Sequence, residues 1–127
     1  MPTLKQALLL DAASALLFVI LCLGFTEPLV QLTGLPGGVV TAAGWICVPC
    51  VVLFLHQAFA PSRALLALVV AGNAAWVLAS AVVWIACWDQ LTAVGHALLI
   101  AQAAAVELFA ILEWRGAKAL RAAAAAA

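Results

Sequence analysis

Four polar side chains lie inside long apolar stretches of this chain: Asp11, Asn73, Gln102 and Glu107. A carboxylate at the centre of a bilayer costs about 2.5–3.5 kcal/mol on insertion scales, so acids in such stretches indicate ion or proton handling, or bonding between helices. At about 1.5 Å of helix per residue, Asp11 and Glu107 each lie about 9 Å from the same side of a membrane. We therefore predict one intramembrane cluster of these four residues, used for transport or, by preference, for packing.

Cys47 and Cys50 form a Cys-x-x-Cys pair around Pro49 in the second apolar stretch. Its position is similar to that of the motif in the disulfide-generating quinone reductases, which implies a redox pair. That family uses a second cysteine pair on an outer loop, whereas only Cys87 is nearby here. The other interpretation is buried, unreactive thiols beside a proline kink.

Metal and cofactor sites are not predicted. The cysteines and histidines lack the spacing of a tetrahedral zinc site. His56 and His96 are expected near opposite ends of the helices, too far apart to bind one haem.

The elements that must position these side chains follow from composition. The chain has 127 residues, of which 69% are hydrophobic and 8% charged, and its mean hydropathy is +1.28. Soluble domains have about 45–50% apolar and about 25% charged residues. Crossing a hydrocarbon core takes about 20 apolar residues, and four runs are long enough. We predict an all-α, integral membrane four-helix bundle, up-down-up-down with short loops, with helices at about 4–25, 39–59, 64–87 and 91–114.

Helical periodicity predicts which faces point inward. On the first helix Asp11, Ser14 and Cys22 share one stripe. On the third helix Asn73, Ser80 and Cys87 share another, and both stripes are expected to face the bundle interior.

The charges predict an orientation. All five basic residues fall on one side: Lys5, Arg63, and three in the segment after the fourth helix. The opposite loops carry Glu27 and Asp89. Cytoplasmic flanks hold the excess of Lys and Arg. We therefore predict a single membrane domain over 1–127 in the cell inner membrane, with cytoplasmic termini and a basic tail over 115–127.

Three short segments resemble small, uncharacterised four-helix bacterial inner-membrane proteins: Leu-Leu-Leu-Asp-Ala-Ala at 8–13, Asn-Ala-Ala-Trp at 73–76 with Ser80, and Gly95 followed by Ala-Gln-Ala at 101–103. The resemblance implies the same fold and location and brings no activity. The small multidrug transporters are similar in size and also bear an acid in the first helix, but their flanking charges are nearly balanced.

The preferred functional hypothesis is a structural or accessory subunit, not an enzyme, because no cofactor motif occurs and small residues favour close helix packing. Its expected partners are the lipid bilayer and either other membrane subunits or further copies in a homo-oligomer, with no nucleic acid. One alternative is an oligomeric transporter or channel for a proton, cation or small solute that uses Asp11 and Glu107. The other is a thiol-disulfide oxidoreductase that uses Cys47 and Cys50.

Overall fold

The computed structural model describes residues 2–127, and every regular element in that part of the chain is helical. The first long helix continues into a short π-helix, a short helix follows, and three more long helices complete the fold. The elements are α1 Leu4–Val19 with the π-helix Ile20–Gly24, α2 Thr26–Thr33, α3 Gly37–Phe59, α4 Arg63–Ala86 and α5 Ala93–Ala126. The predicted all-α class is confirmed. Four helices, the first with its π-helical end, are long and apolar enough to cross a membrane.

The largest difference from the predicted bounds is at α5, which runs on to Ala126 instead of stopping near 114. The prediction ended the helix where the apolar run ended. Alanine, arginine and lysine are all strong helix formers, so the backbone stays helical after hydrophobicity is lost. α5 therefore continues past its membrane-length part.

The helices pack as two pairs, α1 against α3 and α4 against α5, and the pairs meet mainly through α1 and α5. α3 and α4 pack against each other very little, although only residues 60–62 connect them. In the predicted up-down-up-down bundle with short loops, these two neighbouring helices would lie side by side. The buried apolar core joins three of the long helices, and it consists of Leu8, Ala12, Ala15, Phe54, Ala58, Leu66 and Val69.

The predicted inward stripes are largely confirmed. Asp11 and Cys22 are buried, as are Asn73, Ser80 and Cys87. Ser14 is exposed, so its placement on the inward stripe was wrong. Its neighbour Ala15 is buried instead. Ala15 follows Asp11 by four residues, and Ser14 follows it by three, and on α1 the position four residues away faces the interior with Asp11.

α2 ties the two helix pairs together at the end opposite the chain termini. The Thr92 backbone N–H donates to the Thr33 carbonyl at 3.0 Å, and the Thr92 hydroxyl donates to the Leu32 carbonyl at 2.6 Å. Gly95 permits this approach, since a Cβ there would clash with the Thr33 carbonyl. Gly34 ends α2 with a φ of 79°, a left-handed conformation that favours glycine.

The outside of the bundle is apolar. Large side chains such as Trp45, Phe59, Leu78 and Ile85 are each more than 60% exposed. Isolated exposed apolar residues are ordinary on soluble proteins, but continuous apolar surfaces of this extent mark contact with lipid or protein. The surface and the four long helices fit a multi-pass membrane protein.

Candidate functional site

Two buried carboxyl groups share one amide in the interior of the bundle. Asn73 Nδ2 donates to Asp11 Oδ2 at 2.8 Å and to Glu113 Oε1 at 2.7 Å. The exposed fractions are 3% for Asp11, 6% for Asn73 and 0% for Glu113. These three residues, from three different helices, form what we call the carboxyl pair site.

Helix periodicity explains how the three side chains meet. Asp11 is flanked on α1 by the buried Leu8 and Ala15 at helical spacing, so its carboxyl group points with them into the core. Glu113 follows the buried Ala110 by three residues on α5. The small alanine side chains leave space for polar side chains between the helices.

The carboxyl pair site has no cationic partner. The Asp11 and Glu113 carboxyl groups interact with each other and with Asn73, and no Lys, Arg or His of the described residues pairs with them. Glu113 Oε2 is fully buried, and no N–H or O–H donor within residues 2–127 reaches it. One oxygen of the pair therefore lacks a donor unless a proton lies between the two acids.

The site lies toward the ends of the helices that meet near the chain termini. Gly116 packs so closely on Leu4, where α1 begins, that a Cβ on the glycine would clash. Glu113 precedes Gly116 by three residues, which is about one helical turn. Asp11 follows Leu4 by seven, or about two turns.

Of the four residues predicted to form one cluster, the structure brings together only Asp11 and Asn73. Gln102 belongs to a separate group: it accepts from Trp76 Nε1 at 2.7 Å, and its Nε2 donates to Ser80 Oγ at 2.9 Å. Glu107 is exposed on the outside of α5. The expected matched depth of Asp11 and Glu107 therefore does not bring their carboxyl groups together, because Glu107 points away from the bundle.

Glu113 was not among the predicted site residues, although it lies at the end of the fourth apolar run. Periodicity contained the missing signal. One face of α5 is marked by residues separated by three or four residues or by sums of these intervals: Gly95, Gln102, Ala110 and Glu113. Glu107 is six residues from Glu113 and lies off that face.

A cavity of about 370 Å³ occupies the opposite half of the bundle, below α2. Its walls are almost entirely apolar, and its polar lining comes from Thr33, Ser80 and Gln102. The cavity is partly open, and α3 and α4, which both line it, pack against each other very little. A cavity of about 150 Å³ holds benzene, so this one has room for a considerably larger apolar molecule.

An aromatic contact lies between the cavity and the carboxyl pair site. The rings of Phe18 and Trp76 meet edge to face with centroids 5.8 Å apart, and both line the cavity. Trp76 follows Asn73 by three residues on α4, about one turn. A movement of α4 at Asn73 would therefore change the cavity wall.

The cysteine pair does not line the cavity, and Cys50 packs against the apolar core that includes Leu8 and Ala12. Cys47 is buried and Cys50 is partly exposed on an uninterrupted α3, and all four thiols of the chain are free. Cys50 Sγ donates to the Ile46 carbonyl at 3.3 Å. Thiol-disulfide exchange stays a prediction, which a Cys47–Cys50 disulfide in the non-reduced protein would support.

The two histidines are also separate. His96 Nδ1 accepts from Trp84 Nε1 at 2.8 Å and packs against Trp88. His56 hydrogen-bonds to Gln57, whose side chain accepts from the Ser62 backbone N–H at the α3–α4 turn. Within residues 2–127, no three His, Cys, Asp or Glu side chains come together as metal ligands would.

No protein-family model, no curated protein and no solved structure matches the chain. Any proposal about function therefore depends on the carboxyl pair site, the cavity and the surface.

Proposed function

We propose that this chain is a proton-linked membrane carrier, in which the Asp11–Glu113 pair takes up and releases one proton and the cavity holds a small lipid-soluble molecule. The observation that carries the proposal is the carboxyl pair itself: two fully buried acids that share one amide and have no cation beside them. Ionisable groups within membrane helices are rare and mark proton relays and substrate pathways.

Electrostatics favours one shared proton. At an effective dielectric of about 20, two negative charges about 4 Å apart repel by about 4 kcal/mol, which is larger than one hydrogen bond returns. A single proton removes this repulsion and supplies the donor that Glu113 Oε2 lacks. Close carboxyl pairs commonly hold one proton between them.

Release of that proton supplies the driving force for a conformational change. The doubly ionised pair would be unstable in its buried position, so the helices that carry Asp11 and Glu113 must separate or admit water. Asn73 bonds to both acids, and such a movement would be transmitted along α4 to Trp76 at the cavity wall. Protonation and cavity shape are therefore coupled through α4.

The cavity selects an apolar molecule with one hydrogen-bond donor. Gln102 Nε2 already donates to Ser80 Oγ and to the Leu99 carbonyl, and the Ser80 hydroxyl donates to the Trp76 carbonyl. The remaining capacity is for accepting, at Gln102 Oε1 and Ser80 Oγ. A hydroxyl group on an apolar body matches this polarity, and the open part of the cavity wall would admit it from the bilayer.

Infrared spectroscopy of the protein in proteoliposomes tests the proton. The wild type is expected to show the C=O stretching band of a protonated carboxyl group, shifting in D₂O as the proton exchanges. The double variant Asp11→Asn with Glu113→Gln should remove the band, whereas each single variant still leaves one buried carboxyl group in place. Glu107→Gln, which removes an exposed acid of the same helix as Glu113, is the matched control and should keep it. A wild-type protein without the band, or a band that does not exchange, would contradict the proposal.

The proposal includes the orientation predicted from charge. Lys5 and Arg63 flank the helix ends nearest the carboxyl pair site, and three further basic residues follow on the same side. This asymmetry supports cytoplasmic termini in the cell inner membrane. The carboxyl pair would then exchange its proton with the cytoplasm, and the cavity would lie in the outer half of the membrane.

One observation favours the second candidate, a structural or accessory subunit. Glu107 is exposed on the apolar outside of α5, where lipid alone would leave its carboxyl group without a hydrogen-bond partner. A second subunit or another copy of this chain could cover it. Gentle solubilisation and native mass measurement test this candidate: a defined complex that dissociates in Glu107→Leu supports it, and a monomer in both cases contradicts it.

A further inference from the structure

A second concave surface lies between α4 and α5, at the helix ends near the chain termini and outside the carboxyl pair site. It encloses about 320 Å³. Its walls are apolar, and Ala67, Ala71 and Ala74 on α4 and Ala117 on α5 lie there beside the larger Leu66 and Leu120. We call this surface the α4–α5 groove.

Two guanidinium groups stand at one end of the α4–α5 groove. Arg63 is the first residue of α4, and Arg121 lies on the part of α5 that extends beyond the predicted membrane span. Both are exposed, and no carboxylate of the described residues forms an ion pair with either. Two cations therefore share the end of an otherwise apolar channel.

The aromatic residue of the groove marks the level of the membrane surface. Trp114 lines the groove, and the Lys118 ammonium group lies 4.8 Å from the centre of its ring. Tryptophan is enriched where hydrocarbon meets headgroups. Ala74, next to Asn73 on α4, would then lie at the depth of acyl chains, and Arg63 and Arg121, beyond Trp114 toward the chain termini, at the depth of phosphates.

We infer that the α4–α5 groove binds an anionic phospholipid, with its phosphate between Arg63 and Arg121 and one acyl chain along the alanine walls. Guanidinium groups pair with phosphate oxygens through two parallel hydrogen bonds, and an ammonium group on a flexible stem does so less specifically. Basic pockets between membrane helices recognise lipid headgroups in this way. The inference does not depend on proton transport.

The shape of the groove favours a lipid over a soluble phosphate compound. A free phosphate ion would use the two guanidinium groups and leave the alanine-lined length of the groove empty. An acyl chain fills that length and makes van der Waals contacts with its apolar walls. The phosphate of the headgroup pairs with the two guanidinium groups. The two parts of the groove thus match the two parts of one molecule.

The test is a titration of the purified full chain in detergent with phosphatidylglycerol, with the bound fraction read by native mass spectrometry. Phosphatidylcholine and inorganic phosphate are separate arms. One basic residue near an anionic surface contributes about fivefold in affinity. Arg63→Gln with Arg121→Gln should therefore weaken phosphatidylglycerol binding roughly twentyfold or more, on the same basis. Binding to phosphatidylcholine should be weaker in the wild type and unchanged in the variant.

Two further variants keep the test decisive. Arg115→Gln removes a basic side chain of the same helix that does not line the groove, and it should leave binding unchanged. Ala71→Leu fills the groove without altering charge, and it should weaken binding as strongly as the arginine variant. Equal loss in Arg115→Gln would show general charge attraction and overturn the inference. So would full competition by inorganic phosphate, or unchanged binding in Ala71→Leu.

Discussion

At the scale of single residues, Asn73 determines how two acids can be buried together. An amide nitrogen has two N–H groups, and here each acid accepts one of them. A serine or threonine at this position has only one donor and would leave one carboxyl group without its bond. Asn73 therefore matches the number of acceptors that Asp11 and Glu113 present.

The stabilities of two variants at Glu113 show whether this side chain stabilises the fold through a proton shared with Asp11 or only by filling space in the core. Glu113→Gln is expected to keep the stability within about 1 kcal/mol, because the new amide can donate to Asp11 where the shared proton did. Glu113→Leu removes that bond and leaves Asp11 buried with Asn73 alone, at an expected cost of about 2–3 kcal/mol. Unfolding in mixed micelles measures both.

The control for this comparison is Gln102→Leu, which removes a hydrogen-bonded amide from α5 outside the carboxyl pair site. Hydrogen bonds between membrane helices average about 0.6 kcal/mol, so its cost should be smaller than that of Glu113→Leu. Equal stability of the Gln and Leu variants at 113 would contradict the shared proton.

At the scale of elements, α2 determines how the two helix pairs meet. The carbonyl groups of Leu32 and Thr33 accept hydrogen bonds from Thr92, just before α5. The backbones of α2 and α5 must therefore lie close together, which large side chains between them would prevent. α2 also covers one end of the cavity, which Leu29 and Thr33 line. Loosening this contact would open the cavity at that end.

Gly95→Ala is expected to destabilise the fold by more than about 1 kcal/mol, because the added methyl group collides with the Thr33 carbonyl and must displace α2. Unfolding of the variant in micelles measures this cost. Gly72→Ala is the matched control in the middle of α4, where no atom lies within 4 Å of an added Cβ. It should stabilise the protein by about 0.5–1 kcal/mol through helix propensity alone. A tolerated Gly95→Ala would show that α2 is not held against α5.

At the scale of the whole molecule, the carboxyl pair site and the cavity lie in different halves of the bundle. The carboxyl pair site lies toward the chain termini, and the cavity lies below α2. The contact between Phe18 and Trp76 lies between them. This arrangement separates the place where a proton binds from the place where a lipid-soluble molecule fits, with α4 common to both.

Photolabelling tests the cavity. A long-chain alcohol that carries a diazirine, photolysed with the protein in proteoliposomes, is expected to label peptides containing Val83 or Leu98 in the cavity wall. Ala79→Phe narrows the cavity and should remove most of that labelling. Ala105→Phe, on an exposed alanine outside the cavity, should leave it unchanged. Labelling that is equal in both variants would indicate lipid-facing reaction only.

Reporter fusions test the orientation of the whole molecule. A periplasmic alkaline phosphatase fused after Arg121 should be inactive, and one fused after Gln90 should be active, because the basic flanks stay in the cytoplasm. A fluorescent protein at the same two positions should give the reverse result. Activity of the phosphatase after Arg121 would contradict the predicted topology.

The amino-acid sequence by itself determined the all-α class, the four long apolar helices and most of the inward faces of the first and third of them. These properties depend on composition and on periodicity within one segment, which need no neighbour. Asp11 and Asn73 were predicted to cluster because each is polar within an apolar run. The faces on which Ser80 and Cys87 lie followed from the same local pattern.

Only the tertiary structure decided which acid joins Asp11. Depth along a helix placed Glu107 at the matching level, but the rotation of α5 about its axis turns Glu113 inward and Glu107 outward. That rotation is set by the packing of α5 against α4 and α1 and by the contact of Gly95 with α2. The weak packing of α3 against α4, beside which the cavity lies, was also decided by the tertiary structure. α3 packs mainly against α1, and α4 packs mainly against α5, and these contacts outweigh the tendency of a short loop to hold α3 and α4 together.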